Sequence, residues 1–106
     1  MLKLVRKSDA KILLMTAILP EYKRNPREIS ERLQMSYTYI IQKMTSYVYR
    51  GYVRKVTRGN KTFYTCPDRG YLYKAVELYF NVPINKAVKN FDDYILRFKN
   101  GEKEAD

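Results

Sequence analysis

Asn25-Pro26-Arg27-Glu28-Ile29-Ser30-Glu31-Arg32-Leu33-Gln34-Met35-Ser36, continued by Tyr37 to Gly51, is the stretch that decides how this chain is read. Its first part predicts a helix. Asn25 suits the cap, Pro26 the first helical position, and Glu28 can reach back to close a capping box. Ile29 and Leu33, four apart, share a face. Gln34-Met35 breaks the pattern, and Ser36 can cap a second helix. In that helix Ile40, Met44 and Tyr47 recur at spacings of four and three, which defines a buried stripe. Gly51, suited to the left-handed conformation past a helix end, stops it.

Turning 100° per residue around the second helix places Thr38, Gln42, Thr45 and Tyr49 opposite the stripe, flanked by Ile41 and Ser46. No acid occurs from Ser36 to Lys55. A solvated helix face ordinarily mixes Glu with Lys. A face of hydroxyls and an amide, with Lys43 and Arg50 nearby and no carboxylate, suits a helix lying in a DNA groove. Gln can read adenine, and Ser and Thr can contact phosphates or base edges. The plainer alternative is an exposed helix of a small domain.

Working outward, Ser8 is placed to cap a first helix running to about Leu19, with Asp9 in its first turn. Ala10, Leu13, Leu14, Ala17 and Ile18 supply its apolar residues. Glu21 to Arg24 reads as a polar connection. After Gly51 the period changes. Tyr52 to Thr57 reads as a strand, Arg58-Gly59-Asn60-Lys61 as a turn, and Thr62 to Cys66 as the return strand ended by Pro67. Stem and tip carry Arg54, Lys55, Arg58 and Lys61 and no acid. Asp68 to Phe80 reads as a helix with Leu72, Val76 and Tyr79 or Phe80 inward. Asn85 can cap a last helix from about Lys86 to Lys99. Ile84, Val88, Phe91, Ile95 and Phe98, spaced four, three, four, three, form a heptad seam that reads as a dimerisation surface. The alternative is that this helix folds back on its own domain. Met1 to Lys7 reads as a short basic lead-in, and 101–106 as a disordered tail.

The fold class expected is mainly α with a small β-hairpin. Residues 1–80 would form one domain and 81–100 a C-terminal element. At 106 residues one core is expected. The chain has 21 basic residues against 11 acidic ones, a net charge of +10. That excess favours a polyanionic partner, nucleic acid before an anionic membrane. With no His and a single cysteine, Cys66, a His-containing zinc site, a thiolate cluster, a His-based triad and an intrachain disulfide are excluded. No cofactor, metal or small-molecule ligand is legible, and no apolar run is long enough to span a membrane. The cysteine usage fits a reducing interior, so a cytoplasmic location is expected.

The order helix, helix, helix, basic hairpin, helix resembles the winged helix-turn-helix DNA-binding domains, in particular the small MarR-like and PadR-like transcription regulators. The resemblance covers about Ser8 to Phe80. Its best segment is Ile29 to Ser36, followed after fifteen residues by Gly51-Tyr52-Val53-Arg54-Lys55-Val56. Thr65-Cys66-Pro67-Asp68-Arg69-Gly70-Tyr71-Leu72 is similar to the exit from the wing in those regulators. Lys43 stands where that family often has an apolar residue, and is expected to snorkel along the helix edge.

The resemblance implies a sequence-specific binder of double-stranded DNA, a dimeric transcription regulator. Thr38, Gln42 and Thr45 would face base edges, with Ile41 against a thymine methyl. Ser36, Tyr37 and Lys43 would contact the backbone, Arg27 and Arg32 the phosphates. Arg54, Arg58, Asn60 and Lys61 on the wing would lie along the minor groove or its backbone. Competing readings are a winged-helix module for protein assembly and a non-specific or single-strand nucleic-acid binder. An enzyme ranks last, since no nucleophile here has a legible partner base.

Overall fold

The computed structural model of the chain describes residues 6–66 and 68–101. In chain order the elements are α1 (Lys7–Ile18), a short 3-10 turn (Glu21–Lys23), α2 (Pro26–Leu33), α3 (Tyr37–Arg50), β1 (Arg54–Arg58), β2 (Lys61–Thr65), α4 (Arg69–Phe80), α5 (Ile84–Lys89) and α6 (Phe91–Lys99). The architecture is mainly helical with one two-stranded antiparallel sheet. The expected lead-in at 1–5, the strand-ending Pro67 and the tail at 102–106 lie outside the described residues.

The centre of the fold is α1. Ala10, Ile12, Leu13 and Leu14 are fully buried, so α1 is covered on most of its circumference rather than along one stripe. It packs against α2, α4, α6 and β2. This extends the stripe expected from the sequence to Ile12, while Ala17 and Ile18 are only half-buried. Thr16 is also buried, its hydroxyl donating to the Ile12 carbonyl at 2.7 Å. Ser8 is not the cap. The helix begins two residues earlier, with the Arg6 carbonyl accepting from the Asp9 and Ala10 amides. The Ser8 hydroxyl instead lies 3.4 Å from that of Tyr39 on α3.

The helix pair α2 and α3 forms as its sequence dictates. Asn25 accepts from the Glu28 amide at 2.9 Å, and Ser36 accepts from the Tyr39 amide at 3.0 Å. The capping box stays open, because the Glu28 carboxylate takes the Arg32 guanidinium four residues on. Gln34 adopts φ +55 and Gly51 φ +82. Each ends its helix with the amide beyond it bonded back to the last turn, Met35 to Ser30 and Tyr52 to Tyr47. The buried residues of α3 are Ile40, Met44 and Tyr47, the expected stripe.

The hairpin pairs Arg54 with Thr65 through Arg58 with Lys61. Its two-residue loop has Gly59 first, at φ +64, the glycine position of a II′ turn. Arg24 holds the hairpin to the helices. Its carbonyl accepts the Tyr64 amide at 2.9 Å. Its guanidinium donates to the Leu19 and Ala17 carbonyls at 2.6 and 3.1 Å, satisfying the end of α1. The connection read as merely polar is therefore the clamp between α1 and the sheet.

Two helices stand where one was expected at the C-terminal end. Asn90, at φ −111 and ψ 30, breaks the run, and Asn85 is not the N-cap, since α5 starts behind Pro83; its side chain accepts from the Lys86 amide inside the first turn. The break swings α6 back onto α1 and α4. Phe91, Tyr94 and Phe98 are consequently buried in the same core as α1, with Ile95 half-buried against it. Phe91 meets Tyr73 edge-on at 5.1 Å, and Phe98 meets Tyr79 at 5.0 Å. The expected seam is thus divided: Phe91 and Phe98 are buried within the chain's own core, and only Ile84 and Val88 of the five seam residues stay exposed. Among the described residues no helix is long and apolar enough to cross a membrane.

Phe98→Ala is expected to cost about 3 kcal/mol of folding stability, because it opens a cavity against Tyr79 inside one chain. Urea unfolding checks this, and the loss should not depend on protein concentration.

Candidate nucleic-acid interface

A buried carboxylate sets how α3 is rotated. Asp9 on α1 is 6% exposed. It accepts a short hydrogen bond from the Tyr47 hydroxyl and pairs with the Lys43 ammonium at 2.9 Å. Lys43 also lies over the rings of Tyr39 and Tyr47, at 5.8 and 5.9 Å. Lys43 is therefore turned to the α1 side and does not stand with the outward residues of α3. Its apolar-position placement is resolved by a charge partner from another helix. Burial, and then donation to Asp9, push the Tyr47 phenol well above its ordinary value.

With Lys43, Met44 and Tyr47 held inward, Thr38, Gln42 and Thr45 are exposed along the opposite side of α3. The Thr45 hydroxyl donates to the Ile41 carbonyl at 2.9 Å, leaving its oxygen lone pairs outward. Tyr49 is 91% exposed one turn further along. No side-chain carboxylate belongs to this helix.

Where α2, α3 and the hairpin meet, a cleft of about 410 Å³ opens to solvent. It gathers four of the residues chosen from the sequence, Arg27, Tyr37, Ile41 and Asn60. The Arg27 guanidinium lies 5.4 Å from the centre of the Tyr37 ring. Lys55, Thr62, Tyr64 and Asn25 complete the walls with Pro26, and these the sequence reading did not assign to the interface. The signal was available in the hairpin register: Lys55 and Tyr64 are cross-strand partners, so they share a face, and Thr62 follows at a spacing of two. Burial, and then the neighbouring Tyr37, raise the Tyr64 phenol.

The remaining candidates divide by charge partner. Arg32 is paired with Glu28 at 2.9 Å, and Arg58 reaches back to Glu21 at 2.7 Å. Both pairs are solvent-exposed and of small energetic worth. Ser36 spends its hydroxyl on the α3 cap. Arg54 and Lys61 are exposed, and Arg27, Arg54, Lys55 and Lys61 have no carboxylate within ion-pair distance among the described residues. The Cys66 thiol is pushed up to about 11, by burial first and by Asp68 second, which keeps it protonated at neutral pH. Comparison of the chain with protein-family models, curated proteins and solved structures returned no match.

Tyr47→Phe should lower stability by about 1.5–3 kcal/mol at neutral pH, since Asp9 then loses a donor to a buried charge. The raised Tyr47 value works in the alkaline direction. Its contribution is complete below the unfolded phenol value of about 10 and is lost as pH rises through the folded one. The stability gap between the two proteins should therefore narrow above pH ~10, as read by urea midpoints from neutral pH upward.

Proposed function

We propose that the protein binds double-stranded DNA with sequence preference, as a winged helix-turn-helix regulator of transcription. The observation that carries this reading is the outward face of α3. Thr38, Gln42 and Thr45 stand exposed on a helix without a carboxylate, beside Arg27, Arg54, Lys55 and Lys61 of the cleft and hairpin, which have no acidic partner among the described residues. In this reading α3 enters the major groove and Gln42, Thr38 and Thr45 meet base edges. The hairpin is the wing, and Arg54, Lys55 and Lys61 follow the backbone. The net charge of +10 supplies the sequence-independent attraction.

Charge partners grade the phosphate contacts. Arg27, Arg54 and Lys61 approach DNA unpaired. Arg32 and Arg58 must first leave Glu28 and Glu21, a small cost at these exposures. A protein-docking surface would have no need for so long an acid-free span. Of the seam residues, Ile84 and Val88 remain exposed for pairing of two copies, with Leu96 of α6 exposed besides, since Phe91 and Phe98 are used internally. Light scattering at micromolar concentration reads that pairing directly.

The test is a salt-dependent titration against the duplex immediately upstream of the gene, a random duplex of equal length and a single strand. The upstream duplex should bind tightest, with affinity falling steeply in salt. Gln42→Ala should reduce the preference by about 1–3 kcal/mol and leave the random duplex unchanged. Arg54→Ala should weaken both duplexes alike and flatten the salt slope by about 0.9. Stronger binding to the single strand would instead favour stacking on exposed Tyr22, Tyr37 and Tyr49.

A further inference from the structure

The cleft between α2, α3 and the hairpin has three properties that a plain surface groove does not require together. Its walls contain no acid, although Glu21, Glu28 and Glu31 occur nearby in the chain. It presents two cations of different chemistry from different elements: the planar Arg27 on α2 and the point charge of Lys55 on β1. It also contains the phenol of Tyr64. Tyr64 is 8% exposed, and its hydroxyl has no hydrogen-bond partner among the described residues. Its backbone amide donates to the Arg24 carbonyl. Because the cleft that Tyr64 lines opens to solvent, this hydroxyl is free to meet an occupant of the cleft. The raised phenol value keeps the proton on that oxygen at neutral pH, so it is a donor.

Donors converging without a carboxylate describe an anion site. Arg27, Lys55, Tyr37 and Tyr64 each carry a group that can donate to an oxyanion, and the Asn25 and Asn60 amides and the Thr62 hydroxyl are further neutral donors. The size argues for more than a bare ion. About 410 Å³ falls in the range of pockets that hold an organic ligand. Ile41 and the Tyr37 ring give part of the wall an apolar character that a sugar can use. Asn60 lies at the hairpin tip and Ile41 on α3, so an occupant touches both the proposed reading helix and the proposed wing.

We propose that this cleft seats one phosphodiester of a bound DNA strand together with its sugar, and that the Tyr64 hydroxyl is a donor to that phosphate. The proposal rests on the DNA-binding reading above and deepens it. It assigns Tyr64 and Lys55 to a single phosphate that fixes the register of α3 against the hairpin. Contacts to the backbone of this type carry no sequence information but set where the reading helix lies.

The hydroxyl of Tyr64 has no partner to lose, so Tyr64→Phe leaves folding stability unchanged, which urea unfolding verifies first. Lys55 is exposed and Lys55→Gln is equally mild. Both variants are titrated against the upstream duplex, intact and with a single neutral methylphosphonate at each backbone position in turn. Tyr64→Phe is expected to weaken the intact duplex about tenfold, the worth of a hydrogen bond to a charged group. Lys55→Gln should flatten the salt slope by about 0.9. At one backbone position the methylphosphonate should weaken the natural protein more than it weakens Tyr64→Phe, because the variant has already lost one of the contacts to that phosphate. Binding by both variants equal to that of the natural protein overturns the cleft assignment while leaving the DNA reading intact. No binding of the natural protein to any duplex overturns both. Inorganic phosphate, followed by the Tyr64 ring resonances, separates a free-anion pocket. Saturation by phosphate with unchanged duplex affinity in Tyr64→Phe overturns the phosphodiester assignment.

Discussion

The Asp9 carboxylate is the constraint on which the working arrangement of this protein depends. A buried charge is tolerated only when its lone pairs are occupied, and here the occupants come from one helix, α3. Tyr47 and Lys43 lie four residues apart and reach the same oxygen. That geometry admits one rotation of α3 about its axis. The apolar stripe of Ile40 and Met44 favours the same rotation but would tolerate a shift of some tens of degrees, because apolar contact is not directional. The hydrogen bond and ion pair remove that freedom. Thr38, Gln42 and Thr45 consequently stand outward together.

A second clamp places the hairpin. Arg24 is bonded through its carbonyl to β2 and through its side chain to the end of α1. Both bonds are made by one residue, so the sheet cannot move relative to α1 without exposing carbonyls at the helix end. The cleft lies where α2 and α3, which pack directly on each other, meet the hairpin that Arg24 ties to α1. The Arg27–Tyr37 contact joins α2 to α3 within it.

The charges are distributed in accordance with this plan. Asp9 is consumed in the interior, Glu28 and Glu21 lie against Arg32 and Arg58, and Asp93 and Glu77 serve their own helices. The exposed pairs are individually weak, about 1 kcal/mol or less, so they grade the availability of a cation without removing it. The buried pair is of a different kind. Breaking it leaves a charge in a dry site, which costs several kcal/mol. Lys43 is thus structural, while Arg58 remains available to a polyanion.

Local chemistry was legible in the sequence. Asn25, Ser36 and Gly51 mark helix ends because capping acts between residues only a few apart, and the stripe of α3 follows from helical period alone. The mainly helical class with one hairpin was readable for the same reason, as was the absence of acid on the outward face of α3. What tertiary structure decided was everything requiring a partner distant in the chain. Lys43 turns inward because Asp9, on another helix, waits there. Arg58 is paired because the hairpin folds over Glu21. Phe91 and Phe98 read as a seam for a second copy because periodicity shows that a face is apolar but not what covers it. The break at Asn90 redirects that face to α1 and α4. Tyr64 read as an ordinary strand residue, and only the approach of α2 and α3 to its side of the hairpin made it a donor lining a cleft.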